Sequence, residues 1–174
     1  MSEAPDAERL YLSCQPQVVR YLTRLVGNAD AARDLAQETF LRAARTGAPG
    51  DEPGQRAWVF RIARNLALNH LRDVSRHAAH ASETVDPAGK GATQETALLV
   101  RDALAQLAEL DREVFLLRET AGLNYAEIAE ACAITEDAVR SRLQRARQEL
   151  RVLLQGALAA ERSRGIRFSG RNAE

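Results

Sequence analysis

Residues 122–150, GLNYAEIAEACAITEDAVRSRLQRARQEL, constrain the fold of this chain more than any other stretch. Their apolar positions recur at helical spacing on both sides of a short break, so they read as helix, tight turn, helix. The second helix carries four arginines in eight residues: Arg140, Arg142, Arg145 and Arg147. Val139, Leu143, Ala146 and Leu150 mark its inner face, which leaves the arginines to the remaining positions. Arginines so concentrated either stay solvated or lie against an anion. Three further features fit a helix-turn-helix. Ala129 is small where the two helices must approach closely. Ile134 and Val139 flank the turn and can anchor both helices to a core. Thr135 or Glu136 can cap the second helix just before its basic face. The alternative is an ordinary helical hairpin with a solvated, charged outer face.

Charge supports a confined anion-binding surface. The chain of 174 residues has a net charge of zero, with 24 basic and 24 acidic residues. The zero hides segregation: residues 56–80 carry +4 and 140–174 carry +6, while 1–55 carry −2 and 81–113 and 114–139 carry −4 each. Two basic blocks on an acidic background limit phosphate contact to two surfaces and keep loose non-specific binding weak. Lys90 is the only basic residue that is not arginine.

Apolar spacing is helical nearly everywhere, and period-2 alternation is scarce. Leu10, Val18, Leu22, Leu25 and Val26 mark a first helix, ended by Gly27. Asn28 or Asp30 can cap the next, whose apolar positions include Leu35, Phe40 and Ala43. It stops in TGAPGDEPG, residues 46–54, the strongest loop signal in the chain. A third helix starts near Gln55 and runs through Trp58, Ile62, Leu66 and Leu71. Periodicity then disappears over residues 77–95, which contain Pro87, Gly89 and Gly91 and read as a flexible linker. Beyond it, Leu98, Val100, Leu104, Leu107 and Leu110 open a second set of helices. EVFLLRETAG follows, with Gly122 as C-cap, then the helix-turn-helix. The expected fold is all-α: two small helical domains, 1–76 and 96–152, joined by the linker, the second containing the helix-turn-helix. The tail 153–174 is basic, with Arg162, Arg164, Arg167 and Arg171. It is expected to start helical, fray and stay solvated.

Two other stretches combine chemistry with helical spacing. Residues 56–76, RAWVFRIARNLALNHLRDVSR, are strongly apolar with Arg61, Arg64, Arg72 and Arg76 interleaved. Asn65 and Asn69 lie four apart, on one helical face. Amides beside arginines suit base edges and phosphates, although a core helix with a charged rim has the same pattern. In DAARDLAQETFLRA, residues 30–43, Asp34, Gln37, Glu38 and Leu41 form one stripe. Its mixed acidic, amide and apolar character suits a protein partner better than DNA; a solvated helix face would look alike.

Other chemistry is absent from the sequence. His70, His77 and His80 form no metal-ligand pattern, and no metal or cofactor is expected. There is no Gly-rich phosphate loop and no nucleophile setting, so the chain does not read as an enzyme. Cys14 and Cys132 stand 118 positions apart without a CxxC, which fits a reducing cytoplasm. No run of eighteen apolar residues occurs, and the acidic, polar start does not resemble a secretory signal.

Over about residues 8–152 these pieces, in this order, resemble bacterial RNA polymerase sigma factors of the extracytoplasmic-function (ECF) type. DLAQETFLRA resembles the conserved-region-2 helix. WVFRIARNLALNHLR resembles the segment that reads the −10 promoter element, and residues 117–147 resemble region 4, which reads the −35 element. The resemblance implies that Asp34, Gln37, Glu38 and Leu41 contact the clamp helices of the polymerase beta-prime subunit. It implies that loop 46–55, with Arg56, Trp58 and Asn65, captures an extruded base of the −10 strand, while Arg61, Arg64 and Arg72 hold its backbone. Arg140, Ser141, Gln144 and Arg145 would face the −35 major groove, with Arg118 and Arg142 on phosphates. Part of the apolar side formed by Leu104, Leu107, Phe115 and Leu116 would meet the beta flap. An anti-sigma factor is a further implied partner, set between or around the two domains.

The chain departs from the family in its Gly- and Pro-rich loop 46–55, in Gln144 where a bulkier residue is common, and in the tail. Two rivals remain at this level. A sigma-like mimic that sequesters an anti-sigma factor would be expected to lose the basic face that Arg140, Arg142 and Arg145 keep here. A plain helix-turn-helix regulator would need a sensing or dimerising domain where this chain has residues 30–76.

Overall fold

The short turn between the first two helices sets the architecture of the N-terminal half. In the computed structural model, which describes residues 4–47, 52–78 and 92–168, α1 spans Ala4–Val26 and α2 spans Ala29–Thr46. Only Gly27 and Asn28 separate them, so the helices must double back on each other. Gly27 takes φ 73°, and its N–H closes α1 on the Thr23 carbonyl at 3.0 Å. Asn28, rather than Asp30, caps α2: its Oδ1 accepts from the N–H groups of Asp30 and Ala31 at 3.0 and 2.9 Å. Gly47, at φ 71°, ends α2.

The third helix, α3 (Glu52–Ala78), starts three residues earlier than Gln55 and cuts into the expected loop. Pro53 lies in the first turn, where its missing N–H breaks no helical hydrogen bond. Helices α1, α2 and α3 pack on one another around Val18, Tyr21, Leu22, Val59 and Phe60, all buried. The rings of Tyr21 and Phe60 meet edge to face at 5.8 Å. Ala32, Ala36 and Ala63 keep the helices close. The buried Thr39 hydroxyl donates to the Leu35 carbonyl at 2.7 Å, which satisfies it within its own helix.

Of the expected linker, residues 79–91 lie outside the described residues, while its two ends are helical. The C-terminal half contains α4 (Ala92–Gln106), α5 (Glu109–Glu119), α6 (Tyr125–Cys132) and α7 (Glu136–Phe168). The stretch expected to run from Leu98 to Leu110 breaks at Leu107–Ala108, and α5 begins there. Ala108 is extended in ψ (139°) and offers no side-chain cap. Glu109 and Asp111 place acid in the first turn of α5 instead, where the helix dipole favours it. That helix ends with Thr120 as C-cap, two residues before Gly122, whose φ of 69° turns the chain into α6. Leu104, Leu107, Val114, Leu117, Leu123, Ile128, Val139, Leu143 and Ala146 form the buried interior of this half.

The two halves touch directly. α3 packs along α6, and α1 meets α5. Among the described residues no helix is long and apolar enough to cross a membrane.

Candidate nucleic-acid interface

The turn between α6 and α7 is built by local bonds. Asn124 and Glu127 form a reciprocal capping box: Asn124 Oδ1 accepts from the Glu127 N–H at 2.9 Å, and Glu127 Oε2 accepts from the Asn124 N–H at 2.7 Å. Ala133 ends α6 in the left-handed region (φ 55°, ψ 47°). Its N–H returns to the Glu130 carbonyl at 3.3 Å, and that of Ile134 to Ala129 at 3.0 Å. Thr135 Oγ1 then accepts from the Ala138 N–H at 3.2 Å, which opens α7. Val139, Leu143, Ala146 and Leu150 are buried, as their spacing requires, so α7 presents its other faces to solvent.

On those faces Arg140, Ser141, Gln144 and Arg145 are exposed. Arg140 pairs with Asp137 one turn earlier at 2.7 Å, with both side chains mostly in water. Such a pair is weak and yields readily to a polyanion. Arg142 and Arg118 are committed elsewhere. Arg142 Nη1 donates to Asp111 Oδ1 at 2.6 Å, and Arg118 Nη1 donates to the Leu123 carbonyl at 2.8 Å. Arg118 and Arg140 both stand over the ring of Tyr125, at 5.5 and 6.0 Å from its centroid. Arg145 Nε reaches Asp111 Oδ2 at 3.4 Å while its side chain stays 60% exposed.

Beside this face lies a concavity lined by Tyr125, Arg140, Gln144, Arg147, Gln148 and Arg151. Arg147, Gln148, Arg151 and Tyr125 were not among the residues singled out as a site. Arg147, Gln148 and Arg151 continue from Arg140 and Gln144 at steps of three and four, a spacing the sequence shows, whereas Tyr125 comes from α6 and has no such signal. Arg147 also pairs with Glu119 of α5 at 2.7 Å, and that hydrogen bond raises its pKa.

The residues of α3 divide. Arg61, Asn65 and Arg72 lie on one exposed side of the helix, and Arg72 Nη1 donates to Asn69 Oδ1 at 2.8 Å. Trp58 is buried, 7% exposed. Arg56 and Arg64 turn toward the C-terminal half. Arg56 Nη2 donates to the Ala121 carbonyl at 2.7 Å, and its Nη1 lies 3.4 Å from Glu127 Oε1. Arg64 Nε pairs with Glu113, whose side chain is 1% exposed. Burial pushes the Glu113 carboxyl up, against the pull of Arg64. Burial works to lower Arg64, and the Glu113 carboxylate outweighs it, so Arg64 is held firmly cationic.

On α2, Asp34, Gln37 and Leu41 are exposed, and Glu38 pairs with Arg42 at 2.6 Å. Leu41, 45% exposed, borders a groove between α1 and α2 lined by Gln15, Val19, Arg33, Ala36, Gln37, Phe40 and Leu41. An exposed leucine beside an apolar groove with charged edges is the composition of a protein-docking surface.

Comparison with known proteins decides the family. Residues 10–77 match Sigma-70 region 2, and residues 97–150 match Sigma-70, region 4. The ECF RNA polymerase sigma factor EcfG of Rhodopseudomonas palustris is 34% identical over 149 residues, 82% of either chain. The RNA polymerase sigma factor CarQ of Myxococcus xanthus is 37% identical over 170 residues, 92% of this chain and 96% of the relative. The chain belongs to the ECF sigma factor family.

The fold agrees with that membership. The sigma factor RpoE of Bartonella quintana, solved in complex with the anti-sigma factor NepR, superposes with a TM-score of 0.68 at 26% identity. The match covers 86% of this sigma factor and 97% of that chain. In this sigma factor the region 4 match contains α5, α6 and the N-terminal part of α7, and the region 2 match contains α2 and all but the last residue of α3. As a sigma factor it directs promoter-specific transcription initiation.

Proposed function

We propose that this sigma factor binds core RNA polymerase through the exposed stripe of α2 and reads promoter DNA with α3 and α7. On α7, Arg140, Ser141, Gln144 and Arg145 face the −35 major groove, and Arg147 and Arg151 extend the phosphate contact. On α3, Arg61, Asn65 and Arg72 lie along the −10 strand, joined by Arg56, Trp58 and Arg64 in the initiating complex. Arg118 and Arg142 keep the helix-turn-helix in shape and add positive potential behind it. Asp34, Gln37, Glu38 and Leu41 meet the beta-prime clamp, and the apolar side around Phe115 meets the beta flap. The protein acts through polymerase, not as an enzyme, and works in the cytoplasm, where polymerase and promoter DNA are found. The anti-sigma factor bound to the Bartonella quintana protein supports a partner of the same kind here.

The observation that carries this reading is the outer face of α7: exposed arginines and an amide on the second helix of a helix-turn-helix, held by an inward row of buried apolar residues. Binding of purified core polymerase by wild type, Leu41→Glu and Asp34→Arg tests the α2 surface. Each substitution is expected to weaken binding by roughly tenfold or more, a loss of about 1.4 kcal/mol or greater. Unchanged affinity in both would remove α2 from the interface.

A further inference from the structure

Arg20, Thr23, Arg24 and Gly27 recur at steps of three and four along the last turns of α1, so they share one face of the chain there. Val18, Leu22 and Leu25 are buried on the opposite face. The arginine face looks onto α4, where Ala97, Leu98, Arg101 and Leu104 share a side, and onto the end of α5 at Glu119 and Thr120. Between these walls lies an open cleft of about 740 Å³. That volume falls within the ~300–1,000 Å³ usual for small-molecule sites. None of the residues that line it belongs to α3 or α7, so the cleft is separate from both nucleic-acid faces.

The floor of the cleft is apolar and its rim is cationic. Leu104 is buried, and Val19 and Leu98 are half-buried. Arg20, Arg24 and Arg101 are exposed around them. Arg20 and Arg24 stand one turn apart on the same helix, where like charges oppose each other. Among the described residues neither guanidinium has an ion-pair or hydrogen-bond partner. Arg101 reaches its sequence neighbour Asp102 at 3.5 Å, with both side chains exposed, and such a pair is weak. Glu119, the carboxylate on the wall, is already held by Arg147 of α7 at 2.7 Å. The helix dipole accounts for one of the three arginines, since Arg24 lies in the last turn of α1. Arg20 and Arg101 stand outside the last turns of their helices. Arg61, Arg72 and Arg151 also lack a carboxylate partner, and they lie on the faces proposed for DNA; the three arginines of the cleft have no such assignment.

We propose that this cleft binds a nucleotide carrying two or more phosphates, with Arg20, Arg24 and Arg101 on the phosphates and Val19, Leu98 and Leu104 under the base. A guanidinium offers a planar fork that matches phosphate oxygens two at a time, and three forks on two walls suit a chain of phosphates. A single inorganic phosphate would leave most of the cleft and all of its apolar floor unused. A DNA duplex is too broad to enter it. The flat, weakly polar face of a nucleobase fits the floor, and covering it removes apolar surface from water. Because the two walls come from different halves of the chain, the bound nucleotide bridges α1 and α4.

Isothermal titration calorimetry of the full-length chain with ATP and with GTP, in magnesium-free buffer, tests the site. At least one of the two is expected to bind one to one, with a Kd of about 100 µM or tighter. Arg24→Ala and Arg101→Ala, one on each wall, are each expected to weaken binding roughly tenfold, as for the loss of one charge-assisted contact. Arg45→Ala removes an equal charge from the exposed end of α2, outside the cleft, and is expected to leave the Kd unchanged. Inorganic tripolyphosphate, which has the phosphates and no base, is expected to bind at least roughly tenfold more weakly than the nucleotide. Circular dichroism on each variant establishes that its helices are formed, and Arg20→Ala takes the place of either cleft variant that does not fold. The absence of saturable binding by both nucleotides overturns the proposal. So does equal weakening by Arg45→Ala, since the attraction would then belong to the overall charge. Tripolyphosphate binding as tightly as the nucleotide overturns it too, because the base would then make no contact with the floor. The titration needs neither polymerase nor promoter, so its outcome is independent of the proposed function.

Discussion

Arg142 of α7 donates to Asp111 of α5 across 2.6 Å, and Asp111 has no exposed surface at all. Arg145, one turn further on, reaches the second oxygen of the same carboxylate at 3.4 Å. One buried aspartate therefore fixes how α7 sits on the domain and biases the direction of an arginine expected to read DNA. Asp111→Ala leaves Arg142, 29% exposed, without its partner. The expected cost is about 2–3 kcal/mol in urea unfolding, below that of a fully buried pair because Arg142 keeps some water. A loss under about 0.5 kcal/mol would show that the pair does not hold α7.

On the proposed reading, the outer face of α7 separates residues that read sequence from residues that hold charge. Arg145→Ala or Gln144→Ala is expected to cost about 1–3 kcal/mol and to relax preference at one −35 position. Arg151→Ala is expected to weaken all sites alike and to lower the salt slope by about one. Titrations on matched and mismatched duplexes at several salt concentrations distinguish the two. Equal losses on every duplex for all three variants would contradict the assignment.

Ala133 carries a strained backbone for a residue with a Cβ, at φ 55° in the turn of the helix-turn-helix. A left-handed conformation costs such a residue about 1–2 kcal/mol, and glycine loses about half to one kcal/mol more chain entropy on folding. Ala133→Gly is therefore expected to stabilise the protein by about 0.5–1 kcal/mol, read as a higher thermal midpoint. A lower midpoint would mean that the methyl group makes packing contacts worth more than the strain.

Burial pushes the Cys132 thiol up to about 11; Arg64 pulls it down and Glu113 pushes it up by less. Its folded pKa is raised, so the neutral thiol contributes stability that is present below its ordinary value of 9.0 and is lost as pH rises through about 11. Tyr21, also raised by burial, acts in the same direction. Native Cys132 is expected to resist iodoacetamide at neutral pH and to react once unfolded. The thermal midpoint is expected to fall between pH 9 and 11, less steeply in Cys132→Ala. Rapid alkylation of the folded protein would show that the thiol is accessible.

Local structure was legible wherever a local signal set it. Gly27 and Gly47 ended helices, the inner face of α7 followed its spacing, and Thr135 capped it. The break at Leu107–Ala108 had no Gly, Pro or capping side chain to announce it, so periodicity alone ran through it. The site was legible as surfaces, not as partners. Arg61, Asn65, Arg140, Gln144 and Arg145 are exposed as their helix positions imply. Arg56, Arg64 and Arg142 are drawn inward by carboxylates 71, 49 and 31 positions away. No periodicity records a pairing at that separation, because it arises only when the helices pack.

Run-off transcription by purified core polymerase on a library of genomic fragments, with wild type and Arg145→Ala compared, tests the central claim most directly. The account predicts new start sites that share two upstream elements, with transcripts weakened in the variant by roughly fivefold or more, as expected for losing one base contact. Start sites unaffected by the variant would contradict the role of α7, and no dependence of transcription on the protein would contradict the account itself.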